Sequence, residues 1–185
     1  MADRKVKGTM MLDLVRMIRA NKKMDWNKYL KPGDREFIDS MILQSKWYPM
    51  EIYQRFGWIL FQTLAGGNLE LVRLRGRERG RELFTDIYKS IIADHDPMKA
   101  LNKLVTIYSS LFNFSSLTFE NSGEKHAKVY HDYDPKDPAN VPYCHQLMGH
   151  FDTLVELTGG RNARINLTAR QWDGAPKTVF DITWQ

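Results

Sequence analysis

Five histidines, a single cysteine and a dense run of arginines are the side chains in this 185-residue sequence whose types could carry chemistry. His145 and His150 lie in a stretch of helical spacing that separates them by about 140° around the axis. They flank an apolar stripe from opposite sides and are badly placed to share one ion. His126 and His131 are an odd number apart on an alternating strand, so they point to opposite faces, and His95 falls in a loop. This pattern matches neither a tetrahedral zinc site nor the axial ligand of a haem. A structural or surface role is expected for each histidine, with no metal and no cofactor.

Cys144 sits on the core face of the helix that carries His145. The helix field in its first turn would lower the thiol pKa, but a cysteine among apolar neighbours is ordinarily inert packing. His145 points about 100° away from it around the helix, a poor geometry for a nucleophile and its base. The sequence has no phosphate-binding glycine loop after a strand, no HExxH and no GxSxG. Asp132, Asp134 and Asp137 are interrupted by prolines and a lysine and do not follow a calcium loop. No catalytic residue is assigned.

The most distinctive run is Arg73-Leu74-Arg75-Gly76-Arg77-Glu78-Arg79-Gly80-Arg81. Leu69, Val72, Gly76, Gly80, Leu83 and Ile87 step by three and four, so both glycines fall on one stripe of a helix expected over about 68–92. Glycine costs a helix interior roughly 1 kcal/mol relative to alanine. Close approach of another backbone is the simplest reason to keep two of them. Arg73, Arg77 and Arg81 line one flank of the stripe, with Glu70, Glu78 and Glu82 three residues from several arginines. An ion-paired helix surface is the first reading, an anion or acidic-partner site the second. Nucleic acid comes last, disfavoured by the asymmetric spacing.

These residues have to be held by an ordinary globular framework. The chain is 43% hydrophobic and 26% charged with a net charge of +5. Residues 1–100 hold 19 Lys and Arg against 13 Asp and Glu, and residues 101–185 hold 8 against 9. One cysteine excludes an intrachain disulfide and a multi-cysteine metal site, which fits a reducing compartment. No stretch approaches the roughly 20 apolar residues of a membrane span. The start, Met1-Ala2-Asp3-Arg4-Lys5, leads into too short an apolar run for a signal peptide. A single cytoplasmic domain is expected over 1–185, with the Asn166-Leu167-Thr168 sequon accidental.

Residues 113–185 spell out a complete unit of strand, strand, helix, strand, strand. Leu117 and Phe119 alternate with Ser116, Thr118 and Glu120, and Ala127 and Val129 with His126, Lys128 and Tyr130, across an Asn121-Ser122-Gly123 turn. Ile165, Leu167 and Ala169 form a second such pair with Phe180, Ile182 and Trp184. The helix between has Asn140 as candidate N-cap, Pro142 in its first turn and Gly159-Gly160 as its stop. Its stripe of Cys144, Leu147, Met148, Phe151, Leu154 and Val155 should cover the apolar face of the sheet. The expected class is α+β, a helical N-terminal half packed on a four-stranded antiparallel sheet.

The helical half (1–112) opens with a helix that Thr9 is expected to cap and that runs to about Ala20. A short helix starting at Asp34 follows, and a third long one begins at Asp96-Pro97. In Trp47-Tyr48-Pro49 the proline forces Tyr48 to be extended. Two rings are thus presented as a core corner or as one wall of a ligand or partner site. From Pro49 to Ala65 the pattern is helical, yet Phe56-Gly57-Trp58-Ile59-Leu60-Phe61 is apolar all round. Such a helix must be covered by its own fold or by a second subunit. Phe56, Gly57, Phe61, Gly76 and Gly80 are therefore the candidate dimer or helix-packing positions, and Trp47, Tyr48, Trp58, Arg73, Arg77 and Arg81 the candidate ligand- or partner-binding positions.

The order of parts resembles the superfamily joining the V4R (4-vinyl reductase) domain, the haem-NO-binding-associated ligand-binding domains and the TRAPP vesicle-tethering subunits. Gly8, Trp47-Tyr48-Pro49, Gly76/Gly80 and Gly159-Gly160 leading to Trp184 are similar to a family abundant in myxobacteria and related bacteria. The resemblance implies a cytoplasmic bacterial module, homodimeric through helices, that binds a small hydrophobic ligand or a protein partner rather than catalysing. V4R domains carry a cysteine cluster read as a metal site, which Cys144 alone cannot supply, and no histidine is matched to a haem ligand. The expected function is thus a non-enzymatic sensory or scaffolding module. The alternatives are an anion- or nucleic-acid-binding protein using Arg73, Arg77 and Arg81, and an enzyme with an unrecognised site.

Overall fold

The computed structural model describes residues 3–114 and 117–185, so Met1, Ala2, Ser115 and the expected strand position Ser116 lie outside the described residues. The chain divides into two compact units, 1–67 with 110–114, and 68–109 with 115–185. In the first unit a short strand β1 (Lys5–Lys7) pairs antiparallel with β2 (Trp47–Pro49), Val6 opposite Tyr48. Three-residue strands are too short to leave a periodic signal, and nothing in the sequence announces this pair. Between them lie α1 (Gly8–Ala20) and α2 (Asp34–Asp39), and α3 (Met50–Thr63) follows. Met11, Val15, Ile18, Ile38 and Phe56 are buried among these elements. Gly8 is obligatory where α1 begins, because a methyl group there would collide with the Leu43 carbonyl and approach Tyr48 Cε2 to 2.9 Å. Residues 110–114 belong to the same unit, Phe112 bridging to Val6 and Asn113 exchanging hydrogen bonds with Lys5.

The second unit contains α4 (Leu69–Glu82), most of α5 (Pro97–Leu111), α6 (Asn140–Leu157) and four strands. These are β3 (Leu117–Gly123), β4 (His126–His131), β5 (Arg164–Ala169) and β6 (Thr178–Thr183), in the all-antiparallel order β3-β4-β6-β5. Ala127, Val129, Ile165, Phe180 and Ile182 share the buried face. The Phe151 ring of α6 meets that of Phe180 edge-on at 5.2 Å. The α+β class and the strand-strand-helix-strand-strand module are thus those read from the alternation. The helix stop is chemical: Gly159, at φ +96°, lets its own amide bond to the Glu156 carbonyl and the Gly160 amide to Val155, satisfying two terminal acceptors.

Several local expectations are corrected. The α1 helix begins at Gly8, not after a Thr9 cap, and the Thr9 hydroxyl bonds the Gln44 carbonyl instead. The hairpin turn falls at Glu124-Lys125, because Asn121–Gly123 remain in β3 around a bulge. Asn140 is the first residue inside α6 rather than its cap, its side-chain oxygen taken by His131 and Cys144. The arginine helix does not continue to Ile92: α4 stops at Glu82, passes into a π-helical turn over Leu83–Ile87, then a 3-10 turn over Lys89–Ile91. Its start is as expected, Asn68 accepting the Glu70 and Leu71 amides.

Candidate functional site

The residues with chemical potential converge in the second unit, where α4 crosses α6 at backbone distance. A methyl group on Gly76 would overlap the Gln146 carbonyl and stand 3.0 Å from Gln146 Cα. From the other side, one on Gly149 would overlap the Arg73 carbonyl and lie 2.6 Å from the Arg77 amide nitrogen. Gly80 is looser, with the nearest atoms, at His150 and Phe84, at 3.3 Å. The backbone that Gly76 and Gly80 approach therefore belongs to α6 of the same chain. The Thr153 hydroxyl ties the crossing by donating to the Arg77 carbonyl at 2.9 Å. α6 is consequently buried on two faces, by the sheet and by α4. That is why Gly149, Asp152 and Thr153 lie inside although they fall off its apolar stripe.

Close approach brings the arginine flank onto acids of α6. Arg73 forms a two-pronged bond to Asp152, Nε to Oδ2 at 2.8 Å and Nη2 to Oδ1 at 2.9 Å. The bond to Asp152 outweighs burial and holds the guanidinium above its ordinary pKa. Arg77 reaches Asp152 at 3.6 Å and Glu156 at 2.5 Å, and Arg81 lies 3.7 Å from Glu156. Arg75 and Arg79 pair along their own helix with Glu78 and Glu82 at 3.0 and 2.9 Å. Sequence reasoning missed Asp152 and Glu156. Their signal was available: two acids four apart on one helix match arginines four apart on another.

Beyond Gly80 the crossing closes over His150, which is 1% exposed. Its Nδ1 shares a 2.7 Å hydrogen bond with the Tyr108 hydroxyl of α5, and Phe84 of the π turn meets the ring edge-on at 6.2 Å. Nε2 has no hydrogen-bond partner among the described residues. Burial, aided by the Arg79 charge, pushes the imidazole pKa down to about 4, so it is neutral near pH 7. His131 is buried too, bonded through Nε2 to Asn140 Oδ1 at 3.1 Å and stacked on Tyr133. Cys144 is fully buried and its thiol pKa is pushed up by desolvation, the reverse of activation by the helix field. No group of three His, Cys, Asp or Glu able to hold a metal ion occurs among the described residues.

The aromatic candidates lie in the first unit. Tyr48 turns inward, 8% exposed, its hydroxyl accepting the Leu43 amide at 2.8 Å. Trp47 turns outward at 37% exposure, with Lys7 Nζ 4.2 Å from its ring centroid. The two rings therefore do not line one wall. On α3, Phe56 is buried while Trp58 and Phe61 are half-buried, their rings 5.5 Å apart, and Gly57 faces open space. The helix that reads as apolar all round is thus covered on one side and partly open on another.

No protein-family model matches the sequence, and no curated protein matches it. Solved structures do. An H-NOX protein from S. oneidensis in the Fe(II)NO ligation state aligns with a TM-score of 0.68 at 14% identity, over 97% of this chain and 99% of that one. The Fe(II) unliganded H-NOX protein from K. algicida gives 0.67 at 11% identity, covering 97% and 96%. A mutant H-NOX from T. tengcongensis gives 0.62 at 13%, covering 97% of both. The chain has the α+β fold of the H-NOX, or haem-NO-binding, domains.

Proposed function

We propose that the chain is a non-enzymatic sensory or scaffolding module built on the H-NOX fold, acting as a homodimer by binding a small hydrophobic ligand or a protein partner. The observation that carries this reading is that the arginine run, two of the histidines and the cysteine are engaged in packing. Arg73, Arg77 and Arg81 face Asp152 and Glu156, His131 and His150 are buried against hydrogen-bond partners, and Cys144 is a buried protonated thiol. Such groups fix a structure rather than meet a substrate. The glycine face of α4 is occupied by α6, so a second copy is assigned to the half-buried Trp58 and Phe61 on α3. An anion- or nucleic-acid role for Arg73, Arg77 and Arg81 would have to compete with two carboxylates already in place.

Native mass spectrometry of the purified chain tests the proposal. A dimer mass that falls to the monomer on Trp58→Asp, or a co-purified apolar molecule or protein, supports it. A strict monomer carrying neither, together with turnover in a substrate screen that is lost on changing one polar side chain, refutes it.

A further inference from the structure

The H-NOX structures that this chain resembles include Fe(II), Fe(II)NO and Fe(II)CO states. A haem iron is held by an axial side chain, most often a neutral imidazole or a thiolate, with an apolar space beside it for the macrocycle. Each imidazole of this chain can be tested against that need. His95 is exposed, in a turn with φ +49°. His126 stands on the outer face of the sheet, its Nε2 2.8 Å from Asp181. His131 gives its Nε2 to Asn140 and one ring face to Tyr133, with Tyr143 also at 5.5 Å. His145 is half-buried near Glu70 and Arg73 of α4, its Nδ1 also buried without a partner among the described residues, beside the crossing where the α4 and α6 backbones touch.

His150 is the most deeply buried candidate, 1% exposed, with its Nε2 unpartnered among the described residues. Yet Cδ2, bonded to that nitrogen, lies 3.3 Å from the position a Gly80 methyl would take, and Phe84 closes on the ring. Nε2 is itself sealed within the core, so no open space adjoins the edge from which an iron bond would leave. Tyr108 holds the opposite nitrogen and fixes that orientation. Cys144, fully buried and held as the thiol, offers no thiolate.

We infer that this chain uses the H-NOX fold without an iron–histidine bond, its buried imidazoles acting as hydrogen-bonded posts of the core and its ligand or partner being recognised independently of haem. The inference rests on the sensory reading above and narrows it.

The full chain is produced with a haem precursor in the medium, then titrated with ferrous haem under carbon monoxide and followed in the Soret region. The expected result is no species saturating at one haem per chain, and complete transfer of any residual absorbance to apomyoglobin. His95→Ala, His145→Ala and His150→Gln should give the parent's spectra. Because His150→Gln alters the core, far-UV circular dichroism accompanies it. A saturating one-to-one Fe(II)CO complex that is lost in one histidine variant and restored by free imidazole would overturn the inference. That outcome would leave the sensory reading standing, whereas the mass-spectrometric failure described above would sink the reading without bearing on haem.

Discussion

Replacing Gly76 by alanine sets two opposed effects against each other, and the structure decides which wins. An alanine in a helix interior gains roughly 1 kcal/mol over glycine. At Gly76 the new methyl would overlap the Gln146 carbonyl and approach Gln146 Cα to 3.0 Å, and both are backbone atoms of a helix pinned between α4 and the sheet. Overpacking of this kind costs about 1–3 kcal/mol, and the upper end applies where no flexible side chain can swing aside. The net expectation for Gly76→Ala is a loss of about 1–2 kcal/mol. For a chain of this length each kcal/mol lowers the melting temperature by about 2–4 °C. Gly149→Ala, aimed back at Arg73 and Arg77, should behave alike, and the double variant should lose less than the sum because both relieve into the same gap. Gly57→Ala in α3, with open space around it, is the control and should gain up to about 1 kcal/mol. Gly80→Ala, with neighbours at 3.3 Å, should fall near zero. Urea unfolding followed by far-UV circular dichroism measures all five. A Gly76→Ala midpoint at or above that of the parent, with Gly57→Ala behaving as stated, would refute a backbone crossing at this position.

Three further perturbations follow from the same packing. His150 is neutral in the fold with a pKa of about 4, against about 6.5 when unfolded. Its contribution is full above pH 6.5 and is lost between pH 6.5 and 4 at up to about 1.4 kcal/mol per pH unit, a slope that His150→Gln should remove from urea midpoints taken across that range. Burial works against the Asp34 carboxylate, but hydrogen bonds from Arg55 and the Lys31 amide outweigh it and hold its pKa below the ordinary value. The stability it lends is present above about pH 3.9 and lost as pH falls through the folded value, so Asp34→Asn should flatten the acid limb of the stability profile below pH 4. Asp152→Ala leaves Arg73 without its acid and Arg77 with Glu156 alone and should cost about 2–3 kcal/mol, whereas Glu78→Ala, removing an exposed pair with Arg75, should cost under about 0.5 kcal/mol. Thermal unfolding of the two variants side by side separates these values.

What the sequence disclosed and what it hid divide along physical lines. Alternation exposed the sheet because Ile165 and Leu167 on one strand, and Phe180 and Ile182 on the next, repeat every second residue and no helix reads that way. The Gly159-Gly160 stop was legible because it depends on local backbone chemistry. The glycine pair on α4 announced a close contact, since glycine is costly in a helix without one. Its partner was hidden because Gly149 stands among bulky neighbours on a helix whose apolar stripe had already found the sheet. The π turn over Leu83–Ile87 was invisible for another reason: it keeps helical spacing and has no distinctive residues. The strands β1 and β2 are held by long-range pairing alone, with Pro49 the only local sign that Tyr48 is extended.

The crossing also changes where the positive charge of the chain resides. Read along the sequence, the arginine run marks α4 as the basic element. In space its residues belong to a unit that balances: 15 Lys and Arg against 15 Asp and Glu over 68–109 and 115–185. The other unit holds 12 against 7 and thus accounts for the whole net charge of +5. Asp152 and Glu156 do more than neutralise the run. By pairing across the crossing they convert charge repulsion among Arg73, Arg77 and Arg81 into an attraction that acts only when Gly76 and Gly149 allow the helices to meet. The glycines and the ion pairs are therefore one device: a larger residue at either glycine would separate the helices and weaken each bridge, and losing the acids would leave a close-packed helix with three unscreened cations on its flank. An acidic partner steered by long-range field would be drawn by the first unit rather than by the arginines.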